Sequence, residues 1–275
     1  MCVTTGKSEM TNTVIYVGEL YNGEHLMLYK NNVMNQEDGP NAMILPIPAL
    51  QDTLGPENFI DMSDAGHVFT SLADAVTPRA RSLAIGADSM RSAAKAVVFN
   101  IGIYTVVLSE DARLVPAALE QVEPHKRPDI KAKFFDSFEA NYGWPVAVCC
   151  FDNRQAAEGG IGIQYKPRHP KVLFVPTLDA HNGETPNHYV AVQLDHTIIL
   201  GVHGMETGVG VRWNKALPER LTELSAQRVV GDVLHNYRVN GDFIAPISRV
   251  TSGEFQSDWD LQRIPPPRWS RTHSY

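Results

Sequence analysis

The segment from Leu178 to Gly204 concentrates side chains that could do chemistry. It reads LDAHNGETPNHYVAVQLDHTIILGVHG and holds four of the ten histidines of the chain together with three carboxylates. Imidazole and carboxylate groups serve as general acids and bases and as metal ligands. The segment therefore predicts where a site lies, although no complete catalytic or cofactor motif names a reaction.

Strand geometry limits what this segment can bind. Asn182-Gly183 is typical of a two-residue hairpin turn, which would place His181 opposite Glu184, with Asp179 and His188 on the same face. On a straight ribbon His188 would lie roughly 13 Å from Glu184, too far to share one metal ion. If Pro186 instead breaks the strand, a compact loop would bring His181, Glu184 and His188 together. These three are the candidate ligands of a divalent metal, and no other cofactor is predicted.

The same periodicity separates the later histidines from the polar ones. On one continuous strand, His188 and His196 would fall on the apolar face, which favours core histidines with hydrogen-bonded ring nitrogens. Their alternative role is as binding residues, together with Asp179 and Glu184. His181 and Asp195 would lie at turns or on polar faces, where a functional and a structural role fit equally.

Cys2 is the candidate nucleophile. Removal of Met1 would leave an N-terminal cysteine whose α-amino group, with a pKa of about 8, could act as its base. N-terminal nucleophile hydrolases work in this way, but their arginine and aspartate after the second strand are replaced here by 30–32, Lys-Asn-Asn. The first hypothesis is a hydrolase of amide or acyl bonds with Cys2 as nucleophile, His181 as proton shuttle, and Asp195 or Glu184 orienting it. The alternative is that Cys2 is incidental.

Composition restricts the class of protein. The formal net charge of −7 argues against broad nucleic-acid binding, because neutralising phosphates needs a basic face. No apolar run approaches the roughly 20 residues of a membrane helix, and the first residues lack the features of a signal peptide. The other two cysteines, Cys149 and Cys150, lie in the apolar run WPVAVCCF, which predicts buried, inert thiols. Because adjacent cysteines form only a strained disulfide, we expect a reducing, cytoplasmic compartment.

The fold prediction starts from three Asn-Gly pairs, each typical of a tight hairpin turn. They are Asn22-Gly23, Asn182-Gly183 and Asn240-Gly241. The first would join the strands Thr13–Leu20 and His25–Lys30. Ala42–Ile47 would complete an antiparallel meander, as an edge strand or a strand end because of Pro46 and Pro48.

Helices are predicted for the middle of the chain and strands again after it. The helices are Asp64–Ala75, Pro78–Ala96, a short one capped by Ser109, and Pro128–Tyr142 with buried Phe134, Phe135 and Phe138. Later strands are Pro145–Phe151, Ile161–Tyr165, Lys171–Thr177, His188–Gln193 and Thr197–His203, before a helix at Pro218–Gln227. We expect an α+β fold, mainly antiparallel sheet built from hairpins with a helical middle segment. Residues 1–265 would form one domain, with a sub-division near 143, and 266–275 an extended tail.

The order of segments resembles an uncharacterised group of bacterial proteins, many of them secreted. The matching residues are Cys2, YNGEHLMLYKNNV, NAMILPIPA, VFTSLADAVTP and VVFNIGIYTVVLSEDA, which span about two thirds of the chain. The resemblance implies an antiparallel β-rich fold and carries no activity. The chain departs from the secreted members in lacking a signal peptide and in having the His181–His203 region.

A second hypothesis is a non-enzymatic binding or assembly protein, of a virus or a multi-subunit particle. Its hairpins and the arm after Ile264, which ends IPPPRWSRTHSY, would supply contact surfaces to a partner or to a second copy of the chain. The metal-binding protein described above is the third hypothesis.

Overall fold

The computed structural model describes residues 2–77, 96–153, 156–234 and 237–253. The strands are β1 (Cys2–Val3), β2 (Ser8–Glu19), β3 (His25–Asn35), β4 (Asn41–Pro46), β5 (Phe59–Asp61), β6 (Ala96–Ile101), β7 (Tyr104–Ser109), β8 (Val146–Phe151), β9 (Ala157–Tyr165), β10 (Val172–Val175), β11 (Asp179–Ala180), β12 (Ala191–Gln193), β13 (His196–Val202), β14 (Val209–Gly210), β15 (Arg228–Leu234), β16 (Tyr237–Val239) and β17 (Phe243–Pro246). The helices are α1 (Gly66–Val76), α2 (Val115–Leu119), α3 (Ala132–Asn141) and α4 (Ile247–Thr251), with 3₁₀ turns at Pro56–Asn58, Ala112–Leu114, Pro124–Lys126 and Glu219–Ala226.

Two sheets dominate the fold. Seven strands form one sheet in the order β14-β15-β13-β2-β3-β9-β5, and four form the other in the order β4-β8-β7-β6. All pairs in them are antiparallel except β13 with β2. The predicted α+β fold, mainly of antiparallel sheet, is confirmed.

The hydrophobic core follows from strand alternation. Ile15 and Val17 of β2 pack into the cluster that also holds residues of the four-stranded sheet, while Tyr16 between them points to the opposite face. That opposite face is covered by α1 and the 3₁₀ turn at Glu219–Ala226 through Phe69, Leu72, Leu221 and Leu224. The predicted burial of Phe134, Phe135 and Phe138 on α3 is confirmed. None of the helices within the described ranges is long and apolar enough to cross a bilayer.

The first hairpin is confirmed, but the meander is wrong. Strands β2 and β3 pair through the turn at Asn22-Gly23, where Gly23 has φ of 78°. The other neighbour of β3 is β9, and β4 lies in the four-stranded sheet. Strand β9 fits there because Gly162 has no side chain: a methyl group on it would lie 2.9 Å from Ile60 Cβ. The prediction that the strand of Pro46 is an edge strand is confirmed.

The other two Asn-Gly pairs do not form hairpins. Strand β11 pairs in parallel with β1, and Asn182 forms a bridge to Lys7. Strands β16 and β17 flank Asn240-Gly241 but pair with β12 and β10. Long-range pairing therefore overrides the local turn preference at both places. Pro186 lies in an irregular stretch, as the compact-loop alternative predicted.

The helix predictions need smaller corrections. Helix α1 confirms the predicted Asp64–Ala75, and α3 is a shorter form of the predicted Pro128–Tyr142. Asp111, and not Ser109, caps the turn before α2, since its side chain accepts the Arg113 N–H. Residues 78–95 of the predicted Pro78–Ala96 helix and the predicted tail at 266–275 lie outside the described residues.

Candidate functional site

A cavity of about 470 Å³ lies beside the predicted site residues. Its lining comes from the segment after β10 and from the turn before β17, and consists of Asp179, Ala180, His181, Asn182, Glu184, Thr185, Asn187, Val190, Val192 and Asn240. Carboxylate, imidazole and amide groups thus share one concave surface. The sequence predicted this for Asp179, His181 and Glu184.

The N-terminal strand lies along one side of this site. In the β1–β11 pair, Cys2 is opposite Asp179, and the Thr4 N–H donates to the Ala180 carbonyl at 2.8 Å. The Ser8 N–H donates to the His181 carbonyl at 3.2 Å. The backbone of Cys2 therefore lies beside Asp179 and close in register to His181.

Asp179 is the carboxylate that contacts His181. The distance from His181 Nε2 to Asp179 Oδ1 is 2.8 Å, and both atoms are shielded from solvent. Glu184 accepts instead from the Asn182 side chain at 3.1 Å, and Asp195 accepts the Asn12 N–H at 2.9 Å. The two candidate orienting residues, Glu184 and Asp195, thus bond to other groups. Asp179 and His181 are two residues apart, and this spacing places both side chains on one face of a strand.

A buried asparagine holds the base of the cavity. Asn240 Oδ1 accepts the Asp179 N–H at 2.8 Å, and its Nδ2 donates to the carbonyls of Asp179 at 2.6 Å and Asn187 at 3.2 Å. Its own N–H donates to the Val190 carbonyl at 2.8 Å. The sequence predicted only a turn at Asn240, and its role depends on partners far away in the chain.

A buried carboxylate fixes the preceding residues. Asp242 accepts the N–H groups of Thr177 at 3.0 Å and Leu178 at 2.9 Å, and the Tyr142 hydroxyl at 2.6 Å. Burial raises the pKa of Asp242, while the bonds from Tyr142 and the Leu178 amide and the nearby His188 act in the opposite direction. No sequence pattern indicated that Tyr142 and Asp242 would form this cluster.

His188 and His196 are both buried, as expected for residues on an apolar face. Burial lowers the pKa of His188, with the charge of Asp242 opposing this effect. His196 Nδ1 lies 3.7 Å from Asp195. Val190 is exposed, and strand β12 begins only after it.

The candidate metal ligands are not brought together. Among the described residues, no group of three histidine, cysteine, aspartate or glutamate side chains is placed to hold a metal ion. His181 contacts Asp179, Glu184 contacts Asn182, and His188 lies in the interior. Cys149 and Cys150 are buried as predicted, and burial raises the pKa of the Cys150 thiol to about 12.

Two large side chains that are neighbours in the sequence are exposed, and one of them, Val190, lines the cavity. Tyr189 is 73% exposed and Val190 is 43% exposed. The Tyr189 N–H donates to Asn187 Oδ1 at 2.9 Å, and Asn187 in turn is bonded to Asn240. Hydrogen bonds therefore connect exposed Tyr189, through Asn187, to buried Asn240.

No protein-family model and no curated protein matches the chain. Among solved structures, it is similar to baculovirus P35, at 17% identity over 72% of this chain and 66% of that one, with a TM-score of 0.43. A mutated baculovirus P35 after caspase cleavage matches at 13% identity over 86% and 98% of the two chains, with a TM-score of 0.46. A caspase-8/P35 complex matches at 14% identity over 70% and 63%, with a TM-score of 0.40. At these TM-scores neither a shared fold nor a shared function follows.

Proposed function

We propose that this chain is a non-enzymatic protein-binding protein, and that the surface formed by Tyr189, Val190 and the adjoining cavity contacts the partner. The observation that carries the proposal is the exposed Tyr189–Val190 pair. The pair follows Asn187, whose carbonyl accepts a hydrogen bond from the buried Asn240 side chain. Tyrosine is enriched where proteins bind each other, since it buries a large area with few rotatable bonds.

The hydrogen bonds of buried Asn240 make this surface suitable for binding, because they hold the loop in place. Asn240 bonds to Asp179 and Asn187 on either side of the loop and, through its backbone, to Val190. Segments that are ordered before binding lose less conformational entropy when the partner arrives. A partner would therefore bind Tyr189 on a preorganised surface.

Photo-crosslinking tests the proposal. A photoreactive phenylalanine at position 189 is expected to give adducts of defined mass in cells that produce the protein. The matched control is position 21, where Tyr21 is 77% exposed. Equal adducts from both positions, or none from position 189, would contradict the proposal.

Purified partners give a quantitative test. For a partner that binds here, Y189A should weaken binding about 10- to 30-fold, as loss of a central interface tyrosine does. Y21A should leave the affinity unchanged, and a partner that responds equally to both variants does not bind at this surface.

A second candidate function is hydrolysis of an amide or acyl bond with Cys2 as nucleophile. It is favoured by the register that sets Cys2 opposite Asp179, whose carboxylate contacts His181. In such a site His181 would act as base and Asp179 would orient it. Intact-mass measurement after labelling with iodoacetamide tests this: Cys2 should react faster in the unmodified protein than in H181A, and an unreactive Cys2 would exclude it.

A further inference from the structure

A second cavity, of about 420 Å³, lies between helix α1 and the edge strand β14. Ser71 and Asp74 line it from α1, three residues apart and thus on one side of the helix, and Thr77 follows at the helix end. Arg212 and Asn214 line it from the segment after β14. Most of these groups are polar, and the cavity is separate from the surface proposed above.

The buried hydroxyl of Ser71 lacks a hydrogen bond. Its side chain is 1% exposed, and its Oγ has no hydrogen-bond partner within the ranges that the structure describes. Leaving a buried hydroxyl without a hydrogen bond costs about 1–3 kcal/mol. Because Ser71 lines the cavity, a polar atom of a ligand there can supply the missing bond.

The cavity also carries two charges of opposite sign. Asp74 stands on the helix wall and Arg212 on the strand wall, and neither forms an ion pair within the described part of the chain. A ligand with only one charge would satisfy one of them and leave the other unmatched. Carboxylates pair with ammonium groups, and guanidinium groups bind carboxylates in a planar, two-bond arrangement.

We propose that this cavity binds a small zwitterion of the amino-acid type. Its ammonium group pairs with Asp74 and its carboxylate with Arg212, while the Ser71 hydroxyl and the Asn214 amide bond its polar atoms. The volume lies in the range of small-molecule sites in proteins. This inference does not depend on the proposed protein-binding function.

A series of ω-amino acids tests the proposal. The probes carry an ammonium and a carboxylate separated by one to five methylene groups, and the controls are alkylamines and alkanoic acids of the same lengths. Titrations followed by amide chemical shifts should show one chain length that binds at least tenfold tighter than its singly charged analogues. The largest shifts are expected at Ser71, Asp74 and Gly210, which line the cavity.

Three variants assign the contacts. D74N should remove the tenfold preference for the zwitterion over the alkanoic acid, and R212Q the preference over the alkylamine. S71A should weaken binding without lowering the unfolding temperature of the free protein, because its hydroxyl has no described partner to lose. D129N, a change at an exposed aspartate outside the cavity, is the matched control and should bind as the unmodified protein does.

Unfolding midpoints without ligand establish that each variant is folded. The proposal is overturned if no zwitterion binds more tightly than its singly charged analogues, or if D74N and R212Q both keep the preference. It is also overturned if a peptide blocked at both ends binds while every zwitterion fails, since the cavity would then be a peptide site.

Discussion

Protonation of the buried His25 should destabilise the protein in mildly acidic solution. Its side chain is almost fully buried beside the ring of Tyr165, and one ring N–H donates to the Pro170 carbonyl. Burial lowers the pKa of His25 from 6.5 to about 4, an effect only partly opposed by that hydrogen bond. The folded protein therefore holds His25 neutral over a pH range in which the unfolded chain binds a proton.

The sign and size follow from the two pKa values. Because the folded pKa is the lower one, the contribution of His25 is fully present above pH 6.5 and is lost as the pH falls towards 4. A difference of about 2.5 pKa units corresponds to about 3 kcal/mol. This is a large part of the 5–15 kcal/mol by which folded proteins are typically stable.

Urea unfolding between pH 7 and pH 4 measures this contribution. H25N removes the titrating ring and keeps an amide that can donate to the Pro170 carbonyl. Between pH 7 and pH 4, the unmodified protein should lose about 3 kcal/mol more free energy of unfolding than H25N. H125N, at an exposed histidine, is the matched control. If the unmodified protein and H25N lose stability in parallel, the burial argument is refuted.

Three further predictions concern the buried contacts. N240A should lower the free energy of unfolding by about 2–4 kcal/mol, because three side-chain hydrogen bonds are lost, and should speed hydrogen exchange of the Asp179 amide. Y142F should cost about 2 kcal/mol at pH 7 in urea unfolding, because buried Asp242 loses the hydrogen bond from the Tyr142 hydroxyl, and the cost should shrink when D242N is also present. G162A should cost about 1–3 kcal/mol in thermal unfolding, since a methyl group there meets the Ile60 side chain, and an unchanged midpoint would contradict that close packing.

Local features of the fold could be predicted, while long-range pairing could not. The hairpin at Asn22-Gly23 follows from residues that are neighbours in sequence, and so do α1 and the buried aromatic face of α3. The same dipeptide at Asn182 and Asn240 fails as a predictor, because each adjoining strand finds a partner elsewhere in the chain. Several ladder hydrogen bonds and buried side chains outweigh the local turn preference of an Asn-Gly pair.

The candidate site shows the same division. His181 and Asp179 lie two residues apart, so strand alternation indicates a shared face. Asn240 and Asp242 resemble ordinary turn residues in the sequence, and only the structure shows them bonded to segments far away. Polar residues that are buried by contacts with distant segments show no periodic pattern in the sequence. The roles of Asn240 and Asp242 therefore could not be predicted.

The positions of these buried polar groups bear on what the surface can do. Asp242 fixes the backbone at Thr177 and Leu178, and Asn240 fixes Asp179 and Asn187, so the constraint reaches both ends of the loop. Between these fixed ends, the Asn182 and Glu184 side chains bond to each other, while the backbone of Asn182 bridges to Lys7. A loop that is held at its ends by buried bonds can keep Tyr189 in place and still adjust its outer residues to a partner. N240A should therefore weaken binding through loss of order at Tyr189, because Asn240 itself is almost fully buried.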